Sequence, residues 1–488
     1  MAAGMHIVML AGECVPYAKV GGLADVLGSL PHELEALGYS VSLIIPRYRS
    51  IDLARFGFEP LVGFSSKTFD VHRAILPGSN AQVFLIGNDS FFGRRGIYTD
   101  PVTGWDFPDQ ADRWIFFQRS AMEFIAAVMP QVDILHCNDH QTGLVPAYHQ
   151  RFYRGHSTLA RTGTVFTIHN MGYQGVFPAD TMARTGFNTA EFFPLSPFEF
   201  YGMLNFMKVG VVFSDAVTTV SETYALEIQQ SAEFGYGLEG VVRSRMEPPI
   251  GILNGIDYAT WNPANDPLLP ARYSQDDLEG KRKNKQAVLR EFGLDESRID
   301  RPLLAMISRI DVQKGVDLLI GVLPGLLSQD VTFVMLGAGN KEIESQIETI
   351  LSGYPRKAAL KLGYDDRLAH LIEAGADIFL MPSKYEPCGL NQMYSMRYGT
   401  VPVVRATGGL SDTVQEFDPN TGRGTGFRFG PYDPLHFRNA INRALRYWGD
   451  PRSWRRIISN GMESDFSWAR SARRYAELYE SVRSRYEA

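Results

Sequence analysis

Residues 6–30 read HIVMLAGECVPYAKVGGLADVLGSL. The apolar run from His6 to Ala11 predicts a β-strand that is buried on both faces of a parallel sheet. Leucine and valine residues at helical spacing then predict a helix from about Gly22 to Leu37. Before this helix stand Lys19 and the pair Gly21-Gly22, where exposed backbone N–H groups and a mobile positive charge favour an anion. Taken alone, this corner could equally be a glycine-rich loop that only turns the chain.

The length and net charge of the chain limit the kinds of protein that it can be. Its 488 residues exceed what one hydrophobic core usually organises, which predicts two domains. Hydrophobic residues make up 45% and charged residues 21%, an ordinary balance for a globular protein. The net charge of −6 argues against a nucleic-acid partner and against a polybasic membrane surface.

The cysteines indicate the redox environment. Cys14, Cys137 and Cys388 are far apart along the chain and odd in number, which predicts free thiols in a reducing compartment. No apolar run reaches the length of about 18 residues that a membrane span needs, and the start of the chain lacks the pattern of a cleavable leader. The sequence therefore predicts a cytoplasmic protein without a membrane partner.

Predicted strands and helices alternate along the whole chain. The predicted strands are His6–Ala11, Val41–Pro46, Val83–Ile86, Val132–His136, Gly163–His169, Ala216–Val220, Ile250–Leu253, Leu303–Ser308, Thr332–Leu336, Ala358–Gly363, Asp377–Met381 and Val401–Val404. Two consecutive series of this kind predict an α/β protein with two Rossmann-like domains facing a central cleft. The predicted junction lies between Met246 and Asp257. The polar stretch from Asn265 to Lys285 is expected to contribute little to a core.

Ligands of open parallel sheets bind at the carboxyl ends of the strands. Polar and glycine-bearing segments follow the predicted strands at these ends: 137–140, 169–173, 308–315, 337–339, 382–390 and 406–410. Arg309 and Lys314 could clamp a diphosphate, the guanidinium as a bidentate fork and the ammonium as a point charge. Gly408 and Gly409 open a helix and repeat the anion-binding pattern of the first glycine pair.

Three other strand-end residues have alternative explanations. Tyr364 could stack on a nucleotide base or could simply pack against the protein. His169 and Asp139 could bind a ligand or could be satisfied structural groups. Glu386, which follows a buried strand and precedes a proline, is a candidate for binding sugar hydroxyls.

Metal and hydrolase motifs are missing from the sequence. We find no Asp-X-Asp, His-Glu-X-X-His, Cys-X-X-Cys or Gly-X-Ser-X-Gly pattern. His136 and His140 are four residues apart, but they straddle a strand end and do not share one helix face. The sequence therefore predicts no metal site.

Together these motifs resemble those of the bacterial glycogen synthases and plant starch synthases. The resemblance covers essentially the whole chain from Met5 to the C-terminal helix. It rests on motifs in a specific order: residues 19–26 (KVGGLADV), 136–139 (HCND), 167–170 (TIHN), 251–257 (GILNGID), 308–309 (SR), 386–390 (EPCGL) and 407–410 (TGGL).

The resemblance implies the two-domain GT-B fold, with a C-terminal helix that crosses back to the N-terminal domain. The implied domains are residues 1–250, 251–453 and 454–488, the last anchored through Phe466, Trp468, Tyr475 and Tyr479. The alternative to this crossing is that the C-terminal helix packs within its own domain. The implied activity is transfer of glucose from ADP-glucose to the non-reducing 4-OH of an α-1,4-glucan (glycogen or starch). The family retains the anomeric configuration and uses neither a metal nor another cofactor.

The resemblance also implies residue roles. Lys19, Arg309 and Lys314 would neutralise the diphosphate, while Gly22, Gly409 and Leu410 would contact phosphate or glucose through their backbone. Tyr364 would pack on the adenine; His169, Asn254 and Glu386 would hold the glucose, with Asp139 near its reacting face. The remaining expected substrate-binding residues are Gly21, Cys388, Gly389, Leu390, Thr407 and Gly408. Glu13 and Asp25 belong to the first glycine corner as further candidates.

Two positions depart from patterns in related enzymes. Val20 stands where many bacterial relatives carry Thr, which puts a hydroxyl contact on the acceptor side in doubt. Tyr394 stands where many retaining GT-B enzymes place a second Glu, and Tyr is common there in this family. Two alternatives to this activity remain. One is another retaining GT-B glucosyltransferase that uses UDP-glucose or a different acceptor. The other is a glucan- or nucleotide-binding protein without activity. A glucan phosphorylase is disfavoured, since the chain is short for that group and no pyridoxal-phosphate site is recognisable.

Overall fold

The computed structural model describes residues 4–486, which divide into two compact units. The first unit holds the described residues up to Val220, together with Ala225–Gly255 and the chain from Trp468 onwards. The second unit holds Ser221–Tyr224 and Ile256–Ser467. The outermost residues of the first and last predicted domains, 1–3 and 487–488, lie outside the described part.

The first unit is built on a mostly parallel sheet. Its strands are β1 (His6–Leu10), β2 (Ser40–Pro46), β3 (Glu59–Pro60), β4 (Asp70–Ile75), β5 (Gln82–Gly87), β6 (Ile134–Asn138), β7 (Gly163–Ile168), β8 (Val176–Pro178), β9 (Glu199–Phe200), β10 (Met203–Asn205), β11 (Ala216–Thr219) and β12 (Ile250–Gly251). The main sheet has the order β12-β11-β7-β6-β1-β2-β5-β4-β3, in which β3 and β4 are antiparallel to their neighbours. Strands β8, β10 and β9 form a separate antiparallel sheet.

Strand β1 lies between β2 and β6, where the direction of winding reverses. Leu10 pairs with Ile44 on one side and with Cys137 on the other. Ile7 to Leu10 are buried, which explains the continuous apolar run. Such a reversal opens a crevice at the carboxyl ends of the two central strands. The residues after β1 and after β6 therefore meet at one edge of the sheet.

Helices and short turns connect these strands. The α-helices of this part are α1 (Gly22–Ala36), α2 (Asp89–Phe92), α3 (Gln110–Val128), α4 (Val145–Tyr148), α5 (Met182–Thr185), α6 (Phe206–Phe213), α7 (Glu222–Glu227), α8 (Ala232–Gly235) and α9 (Glu239–Arg243). Short 3-10 turns occupy His140–Thr142, Ala179–Thr181 and Thr189–Glu191, and a π-helical turn occupies His149–Tyr153. The side chain of Ser221 accepts the N–H of Tyr224 at 3.1 Å, so it caps α7.

The second unit is a fully parallel sheet with helices. Its strands are β13 (Leu303–Ile307), β14 (Thr332–Gly337), β15 (Ala358–Leu362), β16 (Ile378–Met381), β17 (Val401–Arg405) and β18 (Phe427–Phe429), in the order β15-β14-β13-β16-β17-β18. Its α-helices are α10 (Glu279–Glu291), α11 (Val316–Leu327), α12 (Lys341–Ser352), α13 (Asp366–Gly375), α14 (Asn391–Arg397), α15 (Gly408–Thr413), α16 (Pro434–Trp448) and α17 (Pro451–Glu463), with 3-10 turns at Glu296–Asp300 and Val312–Lys314. The winding reverses between β13 and β16, so a second crevice opens after these strands.

The C-terminal helix α18 (Trp468–Ser484) belongs to the first unit and packs on α1 and β7. Its buried face includes Trp468, Tyr475 and Tyr479. The preceding helix α17 belongs to the second unit instead, because Trp454, Ile457 and related side chains are part of that unit's core. The chain thus enters the first unit again at Trp468, and not at residue 454 as expected from the sequence.

Two expectations about local structure were wrong. Strand β6 runs to Asn138 rather than ending at His136, so Cys137 and Asn138 are strand residues. The polar stretch 265–285 contributes to the interior of the second unit. In it, the buried Nζ of Lys281 donates to Thr400 Oγ1 at 2.7 Å and to two backbone carbonyls. Hydrogen bonds to a charged end permit such burial, and hydrophobicity alone does not reveal them.

Six strands also escaped prediction. Strands β3, β4, β8, β9, β10 and β18 have few residues or partly exposed faces, and they show no long apolar run.

The three cysteines are free and buried. Within residues 4–486, no helix is both long enough and apolar enough to cross a bilayer.

Candidate active site

The glycine corner after β1 is held by a buried carboxylate. Glu13 accepts the backbone N–H of Val20 and, at 3.1 Å, that of Gly21. Burial raises the pKa of Glu13 to about 7, against the opposing effect of these hydrogen bonds. The N–H of Gly21, expected to attract an anion, is thus engaged by Glu13. Lys19 pairs with Asp25 at 2.7 Å on the open side of the corner.

Asp139, directly after β6, organises the end of β7. Its Oδ1 accepts the backbone N–H of His169 at 2.8 Å, and it also receives the N–H of Asn170. Burial raises the pKa of Asp139 to about 7, and the nearby Glu13 contributes in the same direction. Asp139 has a φ of 55°, which is unusual for a non-glycine residue and is common where backbone strain serves a site.

The orientation of His169 follows from a network of fixed donors. Asn138 Nδ2 donates to the carbonyl of Leu10 at 3.0 Å, so the amide oxygen of Asn138 faces the opposite way. This oxygen lies 2.9 Å from His169 Nε2, which must therefore be the donor. Burial lowers the pKa of His169 to about 3, so its ring is neutral and Nδ1 is an acceptor. A neutral, oriented imidazole suits a hydrogen bond with a sugar hydroxyl.

His136, behind His169, links this edge to the C-terminal helix. His136 Nε2 lies 2.6 Å from Thr167 Oγ1, and its Nδ1 lies 2.8 Å from the hydroxyl of Tyr479 on α18. Burial lowers the pKa of His136 to about 3. From the sequence, His136 was considered as part of a motif and as half of a disfavoured metal pair with His140, and this support was missed. The only sequence signal for this contact was the spacing of the aromatic residues in α18.

Asn254 belongs to the first unit and lies just after β12. Its side chain is buried, and its Oδ1 has no hydrogen-bond partner among residues 4–486. Gly255 beside it could not carry a Cβ without colliding with the backbone of Trp468. A buried and unpaired amide oxygen is costly unless a ligand satisfies it, which makes Asn254 a binding candidate.

In the second unit, the reversal of winding brings Lys314 to Glu386. Lys314 Nζ lies 2.7 Å from Glu386 Oε2, and the hydroxyl of Ser383 donates to the same oxygen at 3.0 Å. Glu386 is 5% exposed. Lys314 ends a 3-10 turn that is capped by Asp311, whose Oδ1 accepts the backbone N–H of Lys314 at 3.0 Å.

Arg309 lies at the end of β13, beside this turn. Its guanidinium is 3.3 Å from Asp311 Oδ2 and donates to Gln313 Oε1 at 3.1 Å. The side chain is 55% exposed, so its fork of donors can still reach a ligand. Arg309, Lys314 and Glu386 thus form one polar edge, as the strand-end argument predicted.

The two glycine-bearing segments after β16 and β17 pack directly against each other. A Cβ at Gly408, whose φ is 44°, would collide with the carbonyl oxygen of Glu386, so this close approach requires glycine. The N–H of Gly409 donates to this carbonyl at 3.1 Å. The N–H predicted to bind a phosphate is therefore engaged by the protein, as at the first glycine corner.

The loop from Cys388 to Leu390 is fixed by one glutamine. Gln392 Nε2 donates to the carbonyls of Cys388 at 3.1 Å and Gly389 at 3.0 Å. Leu390 stands at the N-terminus of α14, and Thr407 stands at that of α15. Gln392 was not predicted from the sequence, which carries no signal for its role.

Two tyrosines of the second unit have opposite environments. Tyr364, after β15, is 82% exposed and its hydroxyl donates to Asp366 at 3.0 Å. Tyr394 stacks on Trp261 with ring centroids 3.8 Å apart, and the other face of Trp261 stacks on His370 at 3.7 Å. Tyr394 is thus part of an aromatic stack, which explains a ring at this position.

Among residues 4–486, no group of three or more His, Cys, Asp or Glu side chains could hold a metal ion.

Two family models match the chain. The starch synthase catalytic domain matches residues 6–244, and the glycosyl transferases group 1 model matches residues 293–462. Among curated proteins, a glycogen synthase of Anaeromyxobacter sp. (strain Fw109-5) is 46% identical over 479 residues, covering 98% of this chain and 99% of the relative. Glycogen synthases of Koribacter versatilis and Thermotoga maritima are each 43% identical, covering 98% of this chain and 98% and 99% of the relatives.

Solved structures show the same fold. The catalytic domain of starch synthase IV from Arabidopsis thaliana, bound to ADP and acarbose, superposes with a TM-score of 0.89 at 34% identity, covering 99% of this chain and 100% of that chain. Sucrose-phosphate synthase from Thermosynechococcus elongatus superposes with a TM-score of 0.62 at 16% identity, covering 98% and 99%. The second similarity shows the fold alone, which is the predicted two-domain α/β glycosyltransferase fold.

Proposed function

This chain belongs to the glycogen and starch synthase family, and from that premise we propose that it transfers glucose from ADP-glucose to the non-reducing 4-OH of an α-1,4-glucan. The observation that carries the proposal is the similarity to glycogen synthases over nearly the whole chain. The expected residues at the carboxyl ends of both sheets support it. The protein is a retaining hexosyltransferase whose substrates are a nucleotide sugar and a glucan.

The cations beside β13 suit the leaving group. The bond from the anomeric carbon to the diphosphate oxygen breaks during transfer, and negative charge builds on the departing diphosphate. Arg309 and Lys314 neutralise this charge, and preorganised cations of this kind stabilise a transition state most where charge develops. Lys19 contributes a further positive charge from the first glycine corner.

Each unit has hydrogen-bonding groups that suit a sugar. His169 offers a neutral ring whose Nε2–H is fixed on Asn138 and whose Nδ1 can accept from a hydroxyl, and Asn254 offers an unpaired amide oxygen. Glu386 anchors sugar hydroxyls through its carboxylate. The incoming 4-OH approaches from the face that the diphosphate leaves, and its proton passes to the departing phosphate oxygen, so the configuration is retained.

Donor choice distinguishes this proposal from the main alternative. Initial rates with radiolabelled ADP-glucose and UDP-glucose should be compared, with glycogen as acceptor. The proposal expects incorporation of glucose into glycogen from ADP-glucose at a higher kcat/KM. A preference for UDP-glucose would identify a different retaining glucosyltransferase. Absence of incorporation from both donors, with glycogen binding intact, would identify a binding protein.

The cellular location stays a prediction. Three free and buried thiols suit a reducing cytoplasm, where the nucleotide sugar and the polymer would both be found.

A further inference from the structure

Three bulky side chains of the first unit occupy backbone positions that normally suit glycine or asparagine. Leu195, Tyr201 and Tyr236 have φ values of 69°, 49° and 50°. Their exposed fractions are 92%, 81% and 39%. The left-handed conformation costs a non-glycine residue about 1 kcal/mol or more, and a largely exposed side chain recovers little of this through burial. The stability of the fold therefore does not explain the bulky side chains of Leu195 and Tyr201 at these positions.

Tyr201 shows the conflict most clearly. Phe200 pairs with Met203 in the hairpin of β9 and β10, so Tyr201 and Gly202 form a two-residue turn. Both turn residues have positive φ, the pattern of a type I′ turn, for which Asn-Gly is the preferred sequence. In place of Asn, the chain has a tyrosine that projects a largely exposed ring from the tip of the hairpin.

The segment that carries Tyr201 is held rigidly. The carboxylate of Glu199 accepts the N–H of Gly202 at 2.6 Å and that of Leu195 at 3.0 Å, and these bonds lower the pKa of Glu199. The buried Nζ of Lys208 donates to the carbonyl of Ser196 at 2.8 Å. The exposed ring therefore stands on a preorganised support, which reduces the entropy lost on binding a ligand.

A continuous set of contacts connects this hairpin with the end of β7. A Cβ built on Gly237 would lie 3.3 Å from the ring of Tyr201, so the segment 236–237 lies against the hairpin. Gln174 Nε2 donates to the carbonyl of Tyr236 at 3.3 Å. Next to Gln174 stands Tyr173, which is 51% exposed.

We define Tyr173, Tyr236 and Tyr201 as the aromatic track. Tyr173 is only four residues beyond His169, and its carbonyl is hydrogen-bonded to His140 Nδ1 at 2.9 Å. The track therefore begins at the sheet edge that holds the candidate glucose-binding histidine, and it continues to the tip of the hairpin.

We propose that the aromatic track binds the acceptor glucan at glucose units beyond the one that is elongated. This inference rests on the proposed function, since only a polymeric acceptor extends beyond the reacting unit. A pyranose presents a face of C–H groups to an aromatic ring, while a tyrosine hydroxyl can bond to its hydroxyl rim. All three side chains of the track are uncharged, as is the glucan. Tyr173, where the track begins, is four residues beyond His169, a candidate glucose-binding residue.

The test uses the Tyr201→Gly variant, which removes the ring and relieves the positive φ. KM for glycogen should rise about tenfold, the loss expected for one aromatic contact. KM for ADP-glucose should not change, and kcat/KM with maltose, an acceptor of only two glucose units, should change less than kcat/KM with glycogen. The melting temperature should rise, because glycine suits the turn. Tyr201→Trp should keep the KM for glycogen close to that of the wild type.

The control is Val62→Ala, which truncates a 95% exposed side chain next to β3, at the edge of the main sheet of the first unit and outside the small sheet that carries Tyr201. This control should leave the KM for glycogen unchanged. Retardation of each protein in native gels containing glycogen gives a readout that needs no catalysis. Retardation should be weaker for Tyr201→Gly than for the control.

The outcomes separate the two proposals. A wild-type protein without transferase activity would refute the proposed function, while gel retardation would still test the track. An active wild type, with unchanged glycogen KM and retardation in Tyr201→Gly, would refute the track. A changed oligomeric state in sedimentation, with unchanged glycogen binding, would assign the surface to contact between copies of the chain and would also refute it.

Discussion

Lys314 Nζ lies 2.7 Å from Glu386 Oε2, although the two residues are 72 positions apart in the sequence. The side chains of Lys314 and Glu386 are 20% and 7% exposed, so solvent screens this pair only partly. A diphosphate bound at Lys314 would share the cation with Glu386. The neutralisation of the leaving group and the anchoring of glucose are therefore expected to depend on each other.

The clamp proposed for the diphosphate is tested by Arg309→Ala. Loss of one charge-assisted contact in the transition state should cost about 3 kcal/mol, which lowers kcat roughly a hundredfold. Affinity for glycogen should change much less. Arg301→Ala is the matched control, because Arg301 is also 55% exposed and is also paired with an aspartate. An unchanged kcat in folded Arg309→Ala would remove Arg309 from the mechanism, and Lys314→Ala should behave like Arg309→Ala.

Glu386→Gln distinguishes an anchor from a nucleophile. An anchor loses a charge-assisted hydrogen bond, so the variant should be strongly impaired yet measurably active with retained α-configuration. A nucleophile would lose almost all turnover. Glu344→Gln is the matched control, since Glu344 is 3% exposed and pairs with Lys341 at 2.7 Å in the same unit. A glucosyl adduct on Glu386, detected by mass spectrometry, would establish double displacement.

Chelation tests whether protein cations suffice for the diphosphate. Because Arg309, Lys314 and Lys19 provide positive charge, we expect most of the initial rate to persist in EDTA. The rate should be measured with and without added magnesium after the protein has been exchanged into metal-free buffer. A complete loss that magnesium restores would contradict this prediction.

Tyr364→Ala should affect the donor and not the chemistry. Its ring is 82% exposed, and we propose that it stacks on adenine. Loss of a base stack costs about 1–3 kcal/mol, so KM for ADP-glucose should rise roughly tenfold or more while kcat changes little. Tyr364→Phe keeps the ring and loses the hydrogen bond to Asp366, and it should resemble the wild type. Equal KM values for Tyr364→Ala and wild type would exclude stacking.

His136→Gln should reduce the acid sensitivity of the fold. Burial lowers the pKa of His136 to about 3, whereas an unfolded chain binds a proton near pH 6.5. As pH falls through this window, protonation favours the unfolded chain by up to about 1.4 kcal/mol per pH unit. From pH 7 to pH 5, the wild type should lose about 2 kcal/mol more unfolding free energy than the variant.

This pH effect is measured by urea unfolding at both pH values. Met246→Gln, at a fully exposed position, serves as a control and should follow the wild type. Parallel losses in wild type and His136→Gln would show that His136 is not responsible.

The strand-end residues were predictable because their signal is local. A strand buried on both faces must be apolar, so the polar residues after Leu10 and after Ile307 stand out directly in the sequence. Errors arose where the local pattern was weak. Asn138 is polar but lies within β6, since its amide is satisfied by the carbonyl of Leu10. The type I′ turn at Tyr201 escaped notice because tyrosine is not a turn signal.

The sequence by itself determined the two βα series, the positions of the strand ends and the family, because hydrophobic periodicity and glycine placement act over neighbouring residues. Only the tertiary structure decided which strand ends meet. The strand order puts β1 beside β6 and β13 beside β16, and these pairings bring Asp139 to the first glycine corner and Glu386 to Lys314. Tertiary burial likewise lowered the pKa of His169 and raised that of Glu13, because the free energy of a buried charge depends on all surrounding groups and not on its neighbours in sequence.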